Sequence, residues 1–455
     1  MASYSLKPVK VKKINTKYRT IKTSIPVPQS LPIFRALRKS EPRSMLGQPP
    51  IIWHKAEDFI VSDQWGNRWI DWSSGVLIAN AGHGRKAIRK ALKEVIERGL
   101  LASYVFVHEQ RAVLTRMLQA LAPDPKKYTV FLLSTGADAT ENCVKLSKTY
   151  ALEKHGPRKK YFITFQNAFH GRSMGAQLAG GMPGLKKWIG KCDPTFIQVP
   201  FPDGYKNKNT SFNLFIQTIR KHGIAPKDIA GVMTETYQGI GPDFLPVDYA
   251  RKLEAFCRKH DIVMCYDEVQ AGFGRTGKMF GFQHYGVKPD LIACGKGISS
   301  SLPISAVIGR KDIQGLYAPG SMTSTHSGSP LPVAAAICNL KLIQKERLSA
   351  RAARMGKILL PELHRIQRKY PDVLGCVHGK GLVAGIQVVK RGTKKPNPEL
   401  AMKINVASFQ RGLLMFAPVG IGGECLKIAP PLTIKEDALR ESIKVFEEAI
   451  DSVLG

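Results

Sequence analysis

The sequence lacks the features that are typical of membrane-spanning proteins, of secreted proteins and of proteins stabilised by disulfides or zinc. None of its apolar runs reaches the roughly 18 residues that a membrane helix needs, and the N-terminus has no apolar signal-peptide core. Its eight cysteines are scattered and include no C-x-x-C pair, which disfavours a disulfide framework or a zinc site. We therefore expect a cytoplasmic protein with reduced thiols, no membrane contact and no metal.

Acidic residues are also scarce, with 35 Asp and Glu against 68 Lys and Arg and a formal net charge of +33. A basic protein attracts polyanions whatever its fold, so nucleic-acid binding has to be considered. The excess charge is spread along the chain without an aromatic-interleaved motif, and we predict no nucleic-acid partner. Residues 1–30 contain no Asp or Glu but many lysines, a composition typical of a flexible basic arm.

The 455 residues are too many for one ordinary hydrophobic core. Between residues 76 and 328, short apolar runs rich in β-formers alternate with helical patterns. This rhythm predicts an α/β fold with a doubly wound, mostly parallel sheet. Residues 51–70 have the pattern of a β-hairpin or meander, and residues 329–455 that of a smaller α+β unit.

The most informative stretch covers residues 262–297. Its first apolar run ends at Asp267, and its second ends just before Gly295-Lys296-Gly297. Ligands of open α/β sheets bind outside the carboxyl ends of the strands, so Asp267 and Lys296 can face one site. A desolvated lysine between glycines suits Schiff-base chemistry, and an aspartate can keep a pyridine nitrogen protonated. If each is considered alone, the simpler interpretation is that Asp267 and Lys296 are ordinary solvent-exposed residues.

Taken together, four motifs of this stretch resemble the pyridoxal-phosphate signature of the class III (ornithine/4-aminobutyrate type) aminotransferases, which have fold type I. They are DEVQ (267–270), GFGRTG (272–277), PDL (289–291) and GKG (295–297). The resemblance covers nearly everything after about residue 35. It implies a large cofactor-binding domain over residues 76–328, and a small domain built from residues 31–75 and 329–455.

The resemblance assigns roles to the residues of the central stretch. It implies that Lys296 holds pyridoxal phosphate as a Schiff base, that Asp267 pairs with the ring nitrogen, and that Gln270 bonds the phenolic oxygen. Thr135-Gly136-Ala137 resembles the family's phosphate loop and follows a predicted strand at the start of a predicted helix. Backbone amides at a helix start attract phosphate, although an ordinary N-cap explains this segment equally well.

Further positions match the family's motifs outside the central stretch. Phe169-His170-Gly171-Arg172 resembles its aromatic-His-Gly-Arg segment, which implies that Phe169 stacks on the cofactor ring beside His170 and that Arg172 anchors a substrate carboxylate. A buried core phenylalanine is the simpler alternative for Phe169. Glu235 takes the place of the glutamate in E-P-x-Q-G. Thr325 matches a threonine that binds the phosphate of the other subunit, which implies a homodimer with shared sites, or a tetramer of such dimers.

Two departures from the family pattern concern the substrate. In ornithine- and 4-aminobutyrate-type members, the glutamate of Q-G-E pairs with an arginine before P-P-L and gates an α-carboxylate. This chain has Ile240 and Lys427 at those positions. Isoleucine cannot hold a guanidinium, and lysine lacks the bidentate fork. These substrate-facing differences predict a non-α amine, or an amine that carries another anion such as phosphate or phosphonate.

The residues and the resemblance together predict a pyridoxal-phosphate-dependent aminotransferase that acts on a small amine and an oxo acid, with Lys296 also serving as the general base. A lyase on the same scaffold (an ammonia-lyase, phospho-lyase or decarboxylase) is the alternative, because it needs no oxo-acid site and shares Lys296, Asp267 and Thr325. A scaffold protein that has lost catalysis is disfavoured, since Lys296, Asp267 and Gln270 are all present.

Overall fold

The computed structural model describes residues 4–455, and these residues form two compact units. The large unit is Lys86–Ala350, and the small unit combines the chain up to Arg85 with Arg351–Gly455. The boundaries lie further along the chain than the predicted 75/76 and 328/329. The later boundary moves because the helix Pro330–Lys345, which was predicted for the small domain, packs against the helix Lys86–Glu97 of the large unit.

The strands, in chain order, are β1 (Ile14–Asn15), β2 (Thr20–Ile21), β3 (Lys55–Glu57), β4 (Ile60–Ser62), β5 (Arg68–Asp71), β6 (Tyr128–Leu133), β7 (Tyr161–Phe165), β8 (Phe196–Val199), β9 (Ile229–Glu235), β10 (Tyr237–Gln238), β11 (Asp243–Phe244), β12 (Val263–Asp267), β13 (Leu291–Cys294), β14 (Ser305–Arg310), β15 (Leu374–Lys380), β16 (Val383–Val388), β17 (Leu413–Leu414) and β18 (Cys425–Ile428).

The α-helices, in chain order, are α1 (Leu31–Ser40), α2 (Ser74–Leu77), α3 (Lys86–Glu97), α4 (Glu109–Gln119), α5 (Gly136–His155), α6 (Met174–Ala179), α7 (Pro183–Lys186), α8 (Phe212–Lys221), α9 (Val247–Lys259), α10 (Lys311–Gln314), α11 (Pro330–Lys345), α12 (Leu348–Lys369), α13 (Pro398–Gln410) and α14 (Glu436–Leu454).

The large unit is organised around a sheet with the order β6-β14-β13-β12-β9-β7-β8. Its neighbours pair in parallel, except that β14 runs antiparallel to both β13 and β6. Strands β9, β12 and β13 are buried along their whole length, as expected for parallel strands that are covered on both faces and read as continuous apolar runs. The predicted α/β fold with a doubly wound, mostly parallel sheet is confirmed.

The described residues of the small unit form two sheets that are antiparallel except for the parallel pairing of β17 with β5. β3, β4 and β5 form the meander expected within residues 51–70, and β2 and β17 flank β5. β15, β16 and β18 form a second sheet, on which α13 packs. Trp69 of β5 is fully buried and donates its indole N–H to the carbonyl of Phe409 at 2.8 Å.

The prediction of a flexible basic arm is wrong for residues 4–30. β1 and β2 pair with each other, and Ile21 and Ile25 are buried in one cluster with Trp69. Arg19 donates to Glu441 of α14 at 2.7 Å. The segment is ordered because its apolar residues enter a core, and because carboxylates of α14 balance its positive charge. Residues 1–3 of the predicted arm lie outside the described residues.

The part of the chain that the structure describes contains no helix long and apolar enough to cross a membrane. The same residues contain no group of three or more His, Cys, Asp or Glu side chains that could hold a metal ion. All of their cysteines are free thiols, and most of these thiols are buried.

Candidate active site

The carboxyl ends of neighbouring strands bring the predicted acidic and basic groups together. Asp267, at the end of β12, lies in register with Glu235 at the end of β9 and with Ala293 of β13. Lys296 follows β13 and opens a 3-10 turn that ends at Ile298. This edge of the sheet is where ligands of open α/β folds bind, so the strand order brings these residues to a place where a ligand can bind.

Lys296 is held in a setting that favours its neutral amine. Its side chain is partly buried, and burial lowers the pKa of its ammonium group, while the negative charges of Asp267 and Glu235 oppose this shift without cancelling it. A lowered pKa increases the fraction of amine that can act as a nucleophile or base near neutral pH. Gly295 lets the chain pass close to the start of α5, because a Cβ there would lie 3.5 Å from the Cα of Gly136.

Asp267 is buried and paired with His170. The Nδ1 atom of His170 lies 2.8 Å from Oδ2 of Asp267, and the other carboxylate oxygen accepts a hydrogen bond from the amide of Val269 at 3.0 Å. Burial alone would lower the pKa of His170, but the hydrogen bond and the charge of Asp267 outweigh it and raise that pKa. The other ring nitrogen of His170 is buried and has no hydrogen-bond partner within residues 4–455. Such an orphaned polar atom marks a place where a bound group can add a partner.

Glu235 ties two backbone segments to this site. Its carboxylate accepts hydrogen bonds from the amide of Phe169 at 3.1 Å and from the amide of Gly239 at 2.7 Å. Burial raises the pKa of Glu235 to about 7. A Cβ at Gly239 would lie 2.2 Å from Nε2 of Gln270. Gln270 therefore lies against the same turn, and only glycine leaves room for its amide there.

The start of α5 combines a helix cap with two unused amides. The Thr135 hydroxyl accepts from the amide of Asp138 at 3.2 Å, and the Asp138 carboxylate accepts from the amide of Thr135 at 2.8 Å. This capping box explains the sequence pattern as an ordinary N-cap. It leaves the amides of Gly136 and Ala137 without a partner inside residues 4–455, and the helix dipole makes that position suitable for an anion.

The segment Phe169–Arg172 bridges the carboxylates and the start of α5. Gly171 has φ +135°, and a Cβ on it would lie 2.7 Å from the Cβ of Ala137. The guanidinium carbon of Arg172 lies 5.7 Å from the centre of the Phe169 ring, and the Arg172 side chain is exposed. An aromatic face and an accessible guanidinium are therefore held beside the buried carboxylates.

The other three predicted residues lie on other elements of the chain. Ile240 is partly buried and follows Gly239 at the β10–β11 turn. Thr325 is exposed, in the segment between α10 and α11. Lys427 belongs to the small unit, where it is buried in β18 opposite Gly385 of β16. Their roles toward cofactor and substrate stay predictions.

Glu268 is a structural part of the site for which the sequence predicted no role. Its carboxylate accepts hydrogen bonds from the amides of Gly281 and Phe282, at 2.8 Å each, and from the hydroxyl of Thr236. Burial raises its pKa to about 7. The signal in the sequence was the adjacent acidic pair at the end of a predicted strand. Because successive strand residues point to opposite faces of the sheet, the two carboxylates are expected to contact different groups. Asp267 and Glu268 consequently serve different neighbours.

The collected groups fit pyridoxal phosphate. The amine of Lys296 has a lowered pKa, and Asp267 is buried. The amides at the start of α5 can bind an anionic group. An aldehyde carbon, a pyridine nitrogen and a phosphate each need one of these features. The site contains the donors and acceptors for all three parts of that cofactor.

Comparisons with known proteins agree with this chemistry. The family model described as Aminotransferase class-III matches residues 44–450. A 4-aminobutyrate aminotransferase of Mycobacterium leprae is 30% identical over 95% of this chain and 98% of its own length. A 5-aminovalerate aminotransferase of Pseudomonas putida is 29% identical over 90% of this chain and 96% of its own length.

A solved structure gives the same result. A thermostable (S)-enantioselective omega-transaminase from Thermomicrobium roseum matches with a TM-score of 0.82 and 30% identity, over 92% of this chain and 95% of that chain. The family resemblance predicted from the sequence is confirmed. The chain belongs to the class III aminotransferase family and is a pyridoxal-phosphate-dependent aminotransferase.

Proposed function

We propose that this enzyme takes the amino group from a non-α amine and passes it to an oxo acid, with Lys296 as the residue that holds the cofactor. The observation that supports the role of Lys296 is its meeting with Asp267 and Glu235 at the carboxyl ends of adjacent strands. The names of two relatives, for 4-aminobutyrate and 5-aminovalerate, support an amine that is distant from the carboxylate.

Each residue of the cluster has a distinct task in this proposal. Bound pyridoxal phosphate supplies a carbonyl that condenses with amines and a ring that accepts electrons from the substrate carbon. The Lys296 Nζ atom would hold the cofactor as a neutral amine and, once released, would take the proton from the substrate carbon and return it to the cofactor's former carbonyl carbon. Asp267, oriented by His170, keeps a proton on the ring nitrogen, and Glu235 fixes the position of the Phe169 backbone.

The remaining contacts of the cofactor follow from the local geometry. Thr135 and the unused amides of Gly136 and Ala137 receive the phosphate, and Gln270 donates to the phenolic oxygen. The face of Phe169 excludes water from one side of the ring. These assignments are supported by the close approach of Gly171 to Ala137 at the start of α5, which puts Phe169 near the amides proposed for the phosphate.

The proposed substrate preference is inferred from Arg172 and from the residue types of Ile240 and Lys427. The exposed guanidinium of Arg172 beside Phe169 suits a carboxylate at the far end of the amine. Ile240 and Lys427 cannot form the carboxylate–guanidinium gate of the ornithine and 4-aminobutyrate enzymes. We therefore infer that the second half-reaction uses an acceptor that this chain recognises without that gate. The lyase alternative has no supporting observation, and we do not propose it.

The exposed apolar side chains and the free thiols bear on the oligomeric state and the cellular location of the enzyme. We propose a homodimer, because Thr325 is exposed in the single chain and because Leu101, Phe106 and Val107 are 55%, 77% and 88% exposed. Contiguous exposed apolar side chains indicate a protein-binding surface. A cytoplasmic location is supported by the free, mostly buried thiols.

The test is spectroscopic and uses the holoenzyme with single amines in the absence of an oxo acid. The panel contains 4-aminobutyrate, 5-aminovalerate, ornithine, β-alanine, a diamine, and an amino-phosphate. The proposal expects one of the non-α amines to convert the cofactor stoichiometrically to its amine form, with release of one carbonyl product per site. Continued release of ammonia or phosphate without that conversion would contradict it.

A further inference from the structure

The backbone turns sharply at Lys296. This residue has φ +42°, a left-handed conformation that residues other than glycine rarely adopt. The two residues that follow, Gly297 and Ile298, are buried. A conformation of this kind persists only where the surrounding structure holds it, so the turn needs a support.

Asn339, in the middle of α11, provides that support. Its side-chain nitrogen donates hydrogen bonds to the carbonyl of Gly297 at 2.8 Å and to the carbonyl of Ile298 at 2.9 Å. The side chain is completely buried. The other buried residues of α11 within the described chain are apolar, and they are Pro330, Val333, Ala334, Ala335, Ala336, Ile337, Leu340 and Ile343.

The chemistry at this position calls for an amide. Both N–H groups of Asn339 are engaged, while its Oδ1 atom is buried without a hydrogen-bond partner in residues 4–455. An unpartnered buried oxygen destabilises the fold, so packing alone would favour an aliphatic residue here. Turning the amide around would set its oxygen against two carbonyls. The residue therefore serves the two carbonyls that follow Lys296.

We propose that Asn339 is a positioning residue that fixes the direction in which the Lys296 side chain leaves the backbone. The inference rests on the proposed role of Lys296 as the residue that holds the cofactor. Displacements of about 1 Å in a reacting group can reduce rates about a hundredfold. Loss of the two hydrogen bonds frees the turn after Lys296, which allows the amine to move away from its working position.

The first experiment compares Asn339→Leu with the matched control Asn405→Leu. Asn405 is also buried in a helix, α13 of the small unit, and its side-chain nitrogen donates to the carbonyl of Phe416 at 3.0 Å. We measure thermal stability, the rate of cofactor loss on dialysis, and kcat and KM for the best amine. Asn339→Leu is expected to lose the cofactor at least about tenfold faster and to lower kcat more than KM changes. Asn405→Leu is expected to lower stability while changing cofactor loss by less than about twofold.

A second pair of variants covers the case in which the leucine does not fit. Asn339→Ala removes both donors without adding bulk, on a helix that already has alanine at its neighbouring buried positions, and Asn405→Ala is its control. If both Asn339 variants retain the cofactor within about twofold of the wild type while losing stability as the controls do, the inference is overturned.

The experiment separates this inference from the proposed function. Lys296→Ala is prepared alongside, and its holoprotein is expected to lack the visible absorption band of the wild type. If Lys296→Ala keeps that band, the proposed role of Lys296 is wrong and the inference falls with it. If Lys296→Ala loses the band and the Asn339 variants behave as their controls, only the inference about Asn339 fails.

Discussion

At the scale of single residues, the site depends on carboxylates that are buried next to one another. Glu235 and Glu268 are both buried, and the pKa of each is raised to about 7. Each accepts hydrogen bonds from two backbone amides, and Glu268 accepts one more from the Thr236 hydroxyl, so both groups hold segments in place. Asp267 is buried in the same cluster, where it pairs with His170.

Glu235 makes the stability of the apoprotein depend on pH. Its pKa in the folded chain is about 7, above its ordinary value of 4.5, so the folded state binds the proton more tightly than the unfolded state. Stability is therefore highest below about pH 4.5 for this group and falls as the pH rises toward 7, by on the order of 3 kcal/mol. Glu268 acts in the same direction.

Glu235→Gln is expected to remove the contribution of Glu235, which is about half of the combined fall in stability, because Glu268 still contributes. The glutamine has one oxygen for two backbone donors, which costs about 1 kcal/mol at every pH. Urea unfolding of the apoprotein at pH 5 and pH 8 gives both effects. Glu94→Gln, at an exposed position of α3, is the control. An unchanged pH dependence in Glu235→Gln would show that its carboxyl titrates normally.

At the scale of secondary-structure elements, the N-terminal segment is held by α14. Arg19 is buried, and its guanidinium donates hydrogen bonds to Glu441 at 2.7 Å and to the carbonyl of Arg411 at 2.6 Å. Lys17 pairs with Asp437 on the same helix, but both side chains of that pair are more than half exposed. Buried and exposed ion pairs that join the same two elements can thus be compared directly.

Arg19→Ala is expected to destabilise the protein by about 1.5–3 kcal/mol, because it removes charge-assisted hydrogen bonds in a buried setting. Lys17→Ala, the matched control, is expected to cause no measurable change in stability, because solvent screens its ion pair with Asp437. Chemical unfolding followed by tryptophan fluorescence reports on Trp69, which packs in the same cluster as the N-terminal segment. Equal effects of the two substitutions would contradict the assigned difference in burial.

The elements that position the site could be predicted from the sequence. β12 and β13 are continuous apolar runs that end at chemically distinctive residues, so their position and the meeting of Asp267 with Lys296 followed from local pattern. The order of the N-terminal segment could not be predicted, since it depends on Glu441, more than four hundred residues away. The partners of Glu268 and Asn339 lie closer along the chain, at separations of 13 and 42 residues, but they belong to other segments, and one sequence does not reveal such pairings.

At the scale of the whole molecule, the proposed homodimer is tied to the exposed apolar side chains Leu101, Phe106 and Val107. Phe106→Glu together with Val107→Glu is expected to shift the protein from dimer to monomer, because burying two carboxylates opposes association. Light scattering coupled to size-exclusion chromatography measures the mass. Leu152→Glu is the control, since Leu152 is a single exposed apolar residue on α5. A monomeric wild type, or a double variant that remains dimeric, would contradict the proposed interface.

The central claim is that Lys296 holds pyridoxal phosphate at the edge of the main sheet. Borohydride reduction of the holoenzyme fixes the cofactor to the amine that carries it, and peptide mass spectrometry then identifies the residue. We expect the cofactor on the peptide that contains Gly295-Lys296-Gly297, in a ratio near one per chain, and no fixation in Lys296→Ala. A cofactor fixed to another lysine, or recovered without a covalent bond, would contradict it.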